Sequence, residues 1–263
     1  FYYLVQSNAG QLTIAKSATL TGLGRALPVP VYAPPRGEPY SYDMWAPELV
    51  YLRGHWYIYV AATEAPGDNA THRMYVLQAN TADPLGSWTM RGKVYDTSSD
   101  KWAIDGTVFE FDGQIYMVWS GWHGDIGDFP QNLYIARMSD PLTIDGERHL
   151  ISEPDQPWER SVAAINEGPE AFINEGQLSI VYSADASWTP AYKLGLLKLT
   201  GDNPLDTASW VKSGPVFSGY DDASGAVYGV GHNSMPVASP DGRESWLVYH
   251  SKTVARDGWD DRA

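Results

Sequence analysis

The sequence predicts an all-β chain folded as a five-bladed β-propeller whose first and last blades are incomplete, and three observations carry that prediction. Short runs of β-branched and aromatic residues at 57–60, 115–119, 178–182 and 246–249 are bounded by turn residues, as strands are. Four hairpin glycines recur at 54, 113, 176 and 242, in steps of 59, 63 and 66 residues. Three units also share a polar corner: Asp83-Pro84-Leu85, Asp140-Pro141-Leu142 and Asn203-Pro204-Leu205. A period of that size with about four strands per unit is the signature of propeller blades, whereas a sandwich predicts no shared corner.

Each element has a local reason. Asp112-Gly113 and Asp241-Gly242 are two-residue hairpin signals, because glycine accepts the positive φ such turns need, and Arg53-Gly54 and Glu175-Gly176 fill the equivalent slots. No stretch of ten residues has a clean helical period, so helix is minor. Residues 1–5 align with 56–60, so the first blade is expected to lack its opening strand and to finish with residues 11–15 and Leu20. Residues 1–263 therefore read as one propeller domain truncated at both ends.

Composition narrows the function. The net charge of −14 argues against nucleic acid and against an anionic membrane surface as partner. There is no run of 18 apolar residues and, within residues 1–30, no basic region followed by an apolar block, so neither a spanning helix nor a signal peptide is read here. Zero cysteines exclude disulfides, thiolate zinc sites and cysteine nucleophiles. The 11 Trp and 17 Tyr supply flat faces with a polar handle, which suit carbohydrate.

The segment before each hairpin is expected to be the innermost strand of its blade. Asp105 lies 8 residues before its hairpin glycine, Glu167 lies 9 before and His232 lies 10 before. A propeller funnels equivalent positions toward one axis, so two carboxylates and an imidazole are expected to converge. Cores rarely collect such groups, since each buried charge costs several kcal/mol unless paired. Convergent carboxyls among aromatics suggest acid–base work on a glycosidic bond.

Trp45-Ala46-Pro47-Glu48, Ile104-Asp105-Gly106-Thr107-Val108-Phe109, Asn166-Glu167-Gly168-Pro169 and Gly231-His232-Asn233-Ser234, in that order, resemble glycoside hydrolase family 43, most closely its exo-acting α-L-arabinofuranosidases. The resemblance covers the whole chain and implies an inverting hydrolase that releases terminal arabinofuranose from arabinan or arabinoxylan. By motif, Glu167 resembles the general acid and Asp105 the second carboxylate, which orients the acid and tunes its pKa. The family's general base sits in an Ala/Arg-Asp-Pro motif that would lie upstream of Phe1, so the base is expected to be absent and this fragment inactive by itself. Trp45 and Trp122 are expected on the sugar, with Asn132 as a hydrogen-bonding neighbour. No cofactor is required; His232 corresponds to a residue that holds a hydrated calcium or similar ion through water. The family further implies plant arabinose-containing polysaccharides or oligosaccharides as partners and an extracellular, secreted protein. The alternatives are a β-xylosidase or endo-arabinanase of the same family, or a glycan-binding propeller without catalysis.

Overall fold

The computed structural model describes residues 1–125, 127, 130–223 and 225–259. These form six antiparallel sheets that make up the blades of a five-bladed β-propeller, with no α-helix among the described residues. The first sheet is β1 (Tyr2–Asn8), β2 (Gln11–Ser17) and β3 (Val29–Tyr32), and the second is β4 (Tyr42–Leu52), β5 (His55–Thr63), β6 (Arg73–Ala79) and β7 (Trp88–Lys93). The third is β8 (Ala103–Phe111), β9 (Gln114–Trp122), β10 (Gln131–Asp140) and β11 (Thr143–Ile144), with β12 (His149–Ser152) also on β10. The fourth runs through β13 (Asn166–Asn174), β14 (Gln177–Ala184), β15 (Lys193–Leu199) and β16 (Trp210–Phe217). Then follow β17 (Tyr220–Asp222) and β18 (Gly225–Gly231), a ribbon of β19 (Val237–Ala238) and β20 (Ser245–Trp246), and β21 (His250–Lys252), which returns to pair with β18.

The chain divides into two compact units: residues 1–117 with 137–147, and residues 118–136 with 148–263. In the first, Leu12, Ile14, Ile58, Val60, Tyr75, Leu77 and Trp88 form a buried cluster. Alternation along β2, β5 and β6 places these side chains on core faces, and each full burial contributes about 1.5–3 kcal/mol. In the second, Leu133, Ile135, Ile165, Ile180, Tyr182 and Leu194 are buried.

The repeated corner has a physical basis. In all three copies the Asp or Asn side chain accepts the amide of the leucine two residues on: Leu85 N to Asp83 Oδ1 at 3.1 Å, Leu142 N to Asp140 Oδ1 at 2.8 Å and Leu205 N to Asn203 Oδ1 at 3.1 Å. A ring then reaches the proline carbonyl. Trp88 Nε1 donates to Pro84 O at 3.0 Å, Trp210 Nε1 donates to Pro204 O at 2.9 Å, and Tyr59 Oη donates to Pro141 O at 2.6 Å.

Three of the four predicted hairpins are two-residue turns with positive φ at both centres: Arg53-Gly54, Asp112-Gly113 and Glu175-Gly176. Ala9-Gly10 forms a fourth of the same kind. Asp241-Gly242 does not. Pro240 presets a negative φ at the first turn position, Gly242 N donates to Ser239 O at 2.9 Å, and Ser239 N closes a longer loop on Glu244 O at 2.8 Å. The run at 246–249 is likewise only partly strand: Ser234 N donates to Val248 O at 2.7 Å, drawing that residue off the ribbon. Leu20 sits in a turn, and the third strand of the first sheet is Val29–Tyr32.

Candidate functional site

In the second unit, Glu167 stands on β13 opposite Ser183 and is 6% exposed. Between Glu167 and Glu170 the register slips by one residue, a bulge filled by Gly168 at φ +51° and by Pro169, which has no N–H to lose from the ladder. Tyr192, at the entry to β15, donates its hydroxyl to Glu167 Oε1 at 2.8 Å. His232 joins the same group: its backbone N donates to Ser183 Oγ at 2.7 Å, and its ring packs over Gly168, where a Cβ would lie 3.3 Å from Nδ1. The His232 ring meets His250 edge-on at 5.9 Å.

Two buried carboxylates that the sequence analysis did not single out hold this group in place. Glu159 is fully buried; it accepts from Gln156 N at 2.8 Å, Tyr182 Oη at 2.8 Å, Asn166 Nδ2 at 2.9 Å and Lys212 Nζ at 2.9 Å. Asn166 also accepts from Ser152 Oγ at 2.7 Å, and its carbonyl accepts from Ser120 Oγ at 2.9 Å, so the residue before Glu167 is tied on every side. Burial and then the Glu159 carboxylate push the Tyr182 hydroxyl far up, so it remains a donor. Asp185, fully buried, accepts the amides of Ser161, Val162, Ala163 and Ala186 and the Ser161 hydroxyl. Burial alone would raise its pKa; those hydrogen bonds outweigh burial and hold it below the usual carboxylate range.

Trp122 is buried at the end of β9, with its carbonyl accepting from Arg148 at 2.8 Å. Asn132 is 1% exposed on β10, and its Oδ1 has no hydrogen-bond partner among the described residues.

In the first unit, Trp45 is 41% exposed and stacks on His72, ring centroids 3.7 Å apart. His72 is fully buried, with Nδ1 3.1 Å from Asn69 O and Nε2 3.1 Å from Asp43 O. Burial lowers its pKa by more than these two carbonyls raise it. Asp43 holds the loop rather than standing exposed: it is half-buried at φ +45°, and its Oδ2 accepts Gly67 N at 2.6 Å. Asn69 belongs to an Asn-Ala-Thr sequon, yet its side chain and carbonyl both accept from Trp102 Nε1.

Asp105, on β8, is 8% exposed at φ +55°, and the strand begins where Ala103 N donates to His72 O at 3.3 Å. The structure thus groups Trp45 with His72 in the first unit and Glu167 with Tyr192 and His232 in the second. Ala46, Asp105 and Gly168 each lie 8 residues before their hairpin glycine, and all three have positive φ, at +43°, +55° and +51°. The exact repeat equivalent of Asp105 is therefore Gly168, with Glu167 one residue earlier. Among the described residues no three His, Cys, Asp or Glu side chains come together as a metal site.

Comparison with known proteins places this arrangement. The family model "Glycosyl hydrolases family 43" matches residues 1–262. The chain is 35% identical over 257 residues to an extracellular exo-α-(1→5)-L-arabinofuranosidase of Streptomyces avermitilis, covering 96% of this chain and 52% of that protein. It is 36% identical to α-L-arabinofuranosidase 43 of Humicola insolens, covering 92% of this chain and 50% of that protein. The chain thus spans about half the length of these curated relatives. Its structure matches the crystal structure of an α-L-arabinofuranosidase from Lactobacillus brevis with a TM-score of 0.88 at 33% identity, covering 98% of this chain and 82% of that one. With its family model matched over almost every residue, the chain belongs to glycosyl hydrolases family 43.

Proposed function

We propose that this chain is the propeller of an inverting, exo-acting α-L-arabinofuranosidase that releases terminal α-L-arabinofuranose from arabinan or arabinoxylan. The carrying observation is a buried, phenol-held Glu167 on the bulged strand β13, in a chain similar over 96% of its length to an exo-α-(1→5)-L-arabinofuranosidase. Glu167 is the general acid. It gives its proton to the glycosidic oxygen as that bond breaks, while a water deprotonated by a base attacks the anomeric carbon from the opposite face. Asp105 is the second carboxylate. The general base is assigned to none of these 263 residues. Trp45 offers the sugar an exposed indole face, with Trp122 as a second aromatic contact and Asn132 as a hydrogen-bonding neighbour. Two relatives are named extracellular, which supports secretion.

The described residues do not fit a directly ligated calcium ion, which prefers six to eight oxygens. Any ion at His232 would be held through water, and no step depends on it.

The test is hydrolysis of 4-nitrophenyl α-L-arabinofuranoside against the β-D-xylopyranoside by the full-length protein, with product anomers followed by NMR. Arabinoside turnover with inversion, insensitive to the xyloside, is the expected result. Retention, or preference for the xyloside, overturns the reading. Folded protein inactive on both makes it a glycan-binding propeller.

A further inference from the structure

The hydroxyl of Tyr192 has no part in the proton transfers above, yet it donates a 2.8 Å hydrogen bond to the carboxyl assigned as acid. The tyrosine is 1% exposed, so its hydroxyl has little water to turn to. Its ring is fixed as well. Gly231, at the end of β18, lies so close that a Cβ there would sink into the Tyr192 ring, meeting Cδ1, Cε1 and Cζ. An aromatic ring in a packed core yields far less than a flexible chain end. The sequence thus sets a phenol against one carboxylate oxygen and leaves a glycine, in the Gly231-His232-Asn233-Ser234 segment, to make room for it.

From this geometry we infer that Tyr192 is a positioning residue for Glu167: it fixes the rotamer of the carboxyl and, by donating to it, favours its ionised form. The inference rests on the acid role proposed for Glu167. A phenol that donates to a carboxylate stabilises the charged state, whereas a general acid must carry its proton when substrate arrives. Tyr192 therefore limits the alkaline side of activity in exchange for a fixed proton-delivery geometry. The neighbouring titratable groups of the second unit are His232, packed over Gly168, and His250 against it.

The experiment uses the full-length protein and compares wild type, Tyr192→Phe and Glu167→Gln on two substrates. One is an arabino-oligosaccharide, whose leaving alcohol needs a proton. The other is 4-nitrophenyl α-L-arabinofuranoside, whose leaving group needs little help. Losing one charge-assisted hydrogen bond should move the alkaline limb of kcat/KM for Tyr192→Phe upward by about one pH unit. At the wild-type optimum, kcat on the oligosaccharide should fall roughly tenfold and on the aryl substrate much less, as expected when geometry of proton delivery is lost. Gly231→Ala, which displaces the ring instead of removing the hydroxyl, should move the limb in the same direction. An unmoved limb in Tyr192→Phe, with equal loss on both substrates, overturns the inference. The two failures separate through Glu167→Gln. If that variant loses the same factor on both substrates, the acid assignment itself falls. If it spares the aryl substrate while Tyr192→Phe changes nothing, only the role of Tyr192 falls.

Discussion

Replacing Glu159 by alanine tests whether the buried network beside Glu167 stabilises the second unit or merely fills it. The side chain is fully buried and accepts four hydrogen bonds, but its partners are not equally dependent on it. Lys212 keeps Asp155, at 2.8 Å, and the Glu153 carbonyl. Asn166 Nδ2 keeps the Ile165 carbonyl at 3.0 Å. The losses fall on the Tyr182 hydroxyl, a buried donor worth about 1–3 kcal/mol when stripped of its acceptor, and on the Gln156 amide, a capping bond worth roughly 1 kcal/mol. A loss of about 3 kcal/mol is expected, which for a chain of this size lowers Tm by roughly 6–12 °C. Urea unfolding followed by tryptophan fluorescence and a thermal scan by circular dichroism measure it. The double variant with Tyr182→Phe should cost less than the sum of the singles by about 1 kcal/mol, because both remove one interaction. A Tm change under 2 °C for Glu159→Ala, or strict additivity with Tyr182→Phe, would refute the reasoning.

Trp45→Ala should raise KM for arabinosides about tenfold with kcat little changed, as loss of uniform binding does, and a fall in kcat at constant KM would remove the indole from the sugar. His72 is held neutral by burial, its folded pKa lying below the ordinary 6.5. Its contribution to stability is therefore complete above pH 6.5 and declines as pH falls from there toward the lowered folded value. Tm should drop between pH 6.5 and 5 in wild type and drop less in His72→Gln; parallel curves would contradict this. Asp185 behaves oppositely in cause though not in sign. Its carboxylate is held below the ordinary 3.8, so the stability it adds is present above that value and is lost as pH falls through the folded pKa. Asp185→Ala should remove that acid-sensitive component and cost about 3 kcal/mol at neutral pH, since several buried amides lose their acceptor; a neutral-pH Tm within 2 °C of wild type would reject it.

What the sequence made legible was local or periodic. The turns at Arg53-Gly54, Asp112-Gly113 and Glu175-Gly176 were readable because positive φ at two adjacent residues demands particular chemistry. Asp241-Gly242 misled because the preceding Pro240 changes the turn class, a signal present in the sequence but outweighed by the Asp-Gly pair. Among the site residues, Asp105, Glu167 and His232 stood out through their spacing from the hairpin glycines. Their supports did not. Tyr192 reaches Glu167 across 25 residues and Asp185 reaches Ser161 across 24, separations that only the pairing of β13, β14 and β15 closes. His72 lies just before β6, and only the folding of β4, β5 and β6 into one sheet brings its ring against Trp45. The repeat alignment held a usable clue for Tyr192: the pairing Ala184↔Lys193 matches Ala62↔Arg73, so Tyr192 stands just before the third strand of its blade, as His72 does in the second sheet.

The left-handed slot shared by Ala46, Asp105 and Gly168 separates two jobs that a strand ordinarily performs together. In β4 and β13, residues beyond the slot pair in step with their hairpin, and before it the pairing is offset by one. Each inner strand therefore works like a fixed socket with an exchangeable fitting. The occupant of the socket can be methyl, carboxylate or bare backbone while the outer strands keep their pairing. Blades built this way can diverge in chemistry at their inner ends while sharing one inherited architecture at their outer ends.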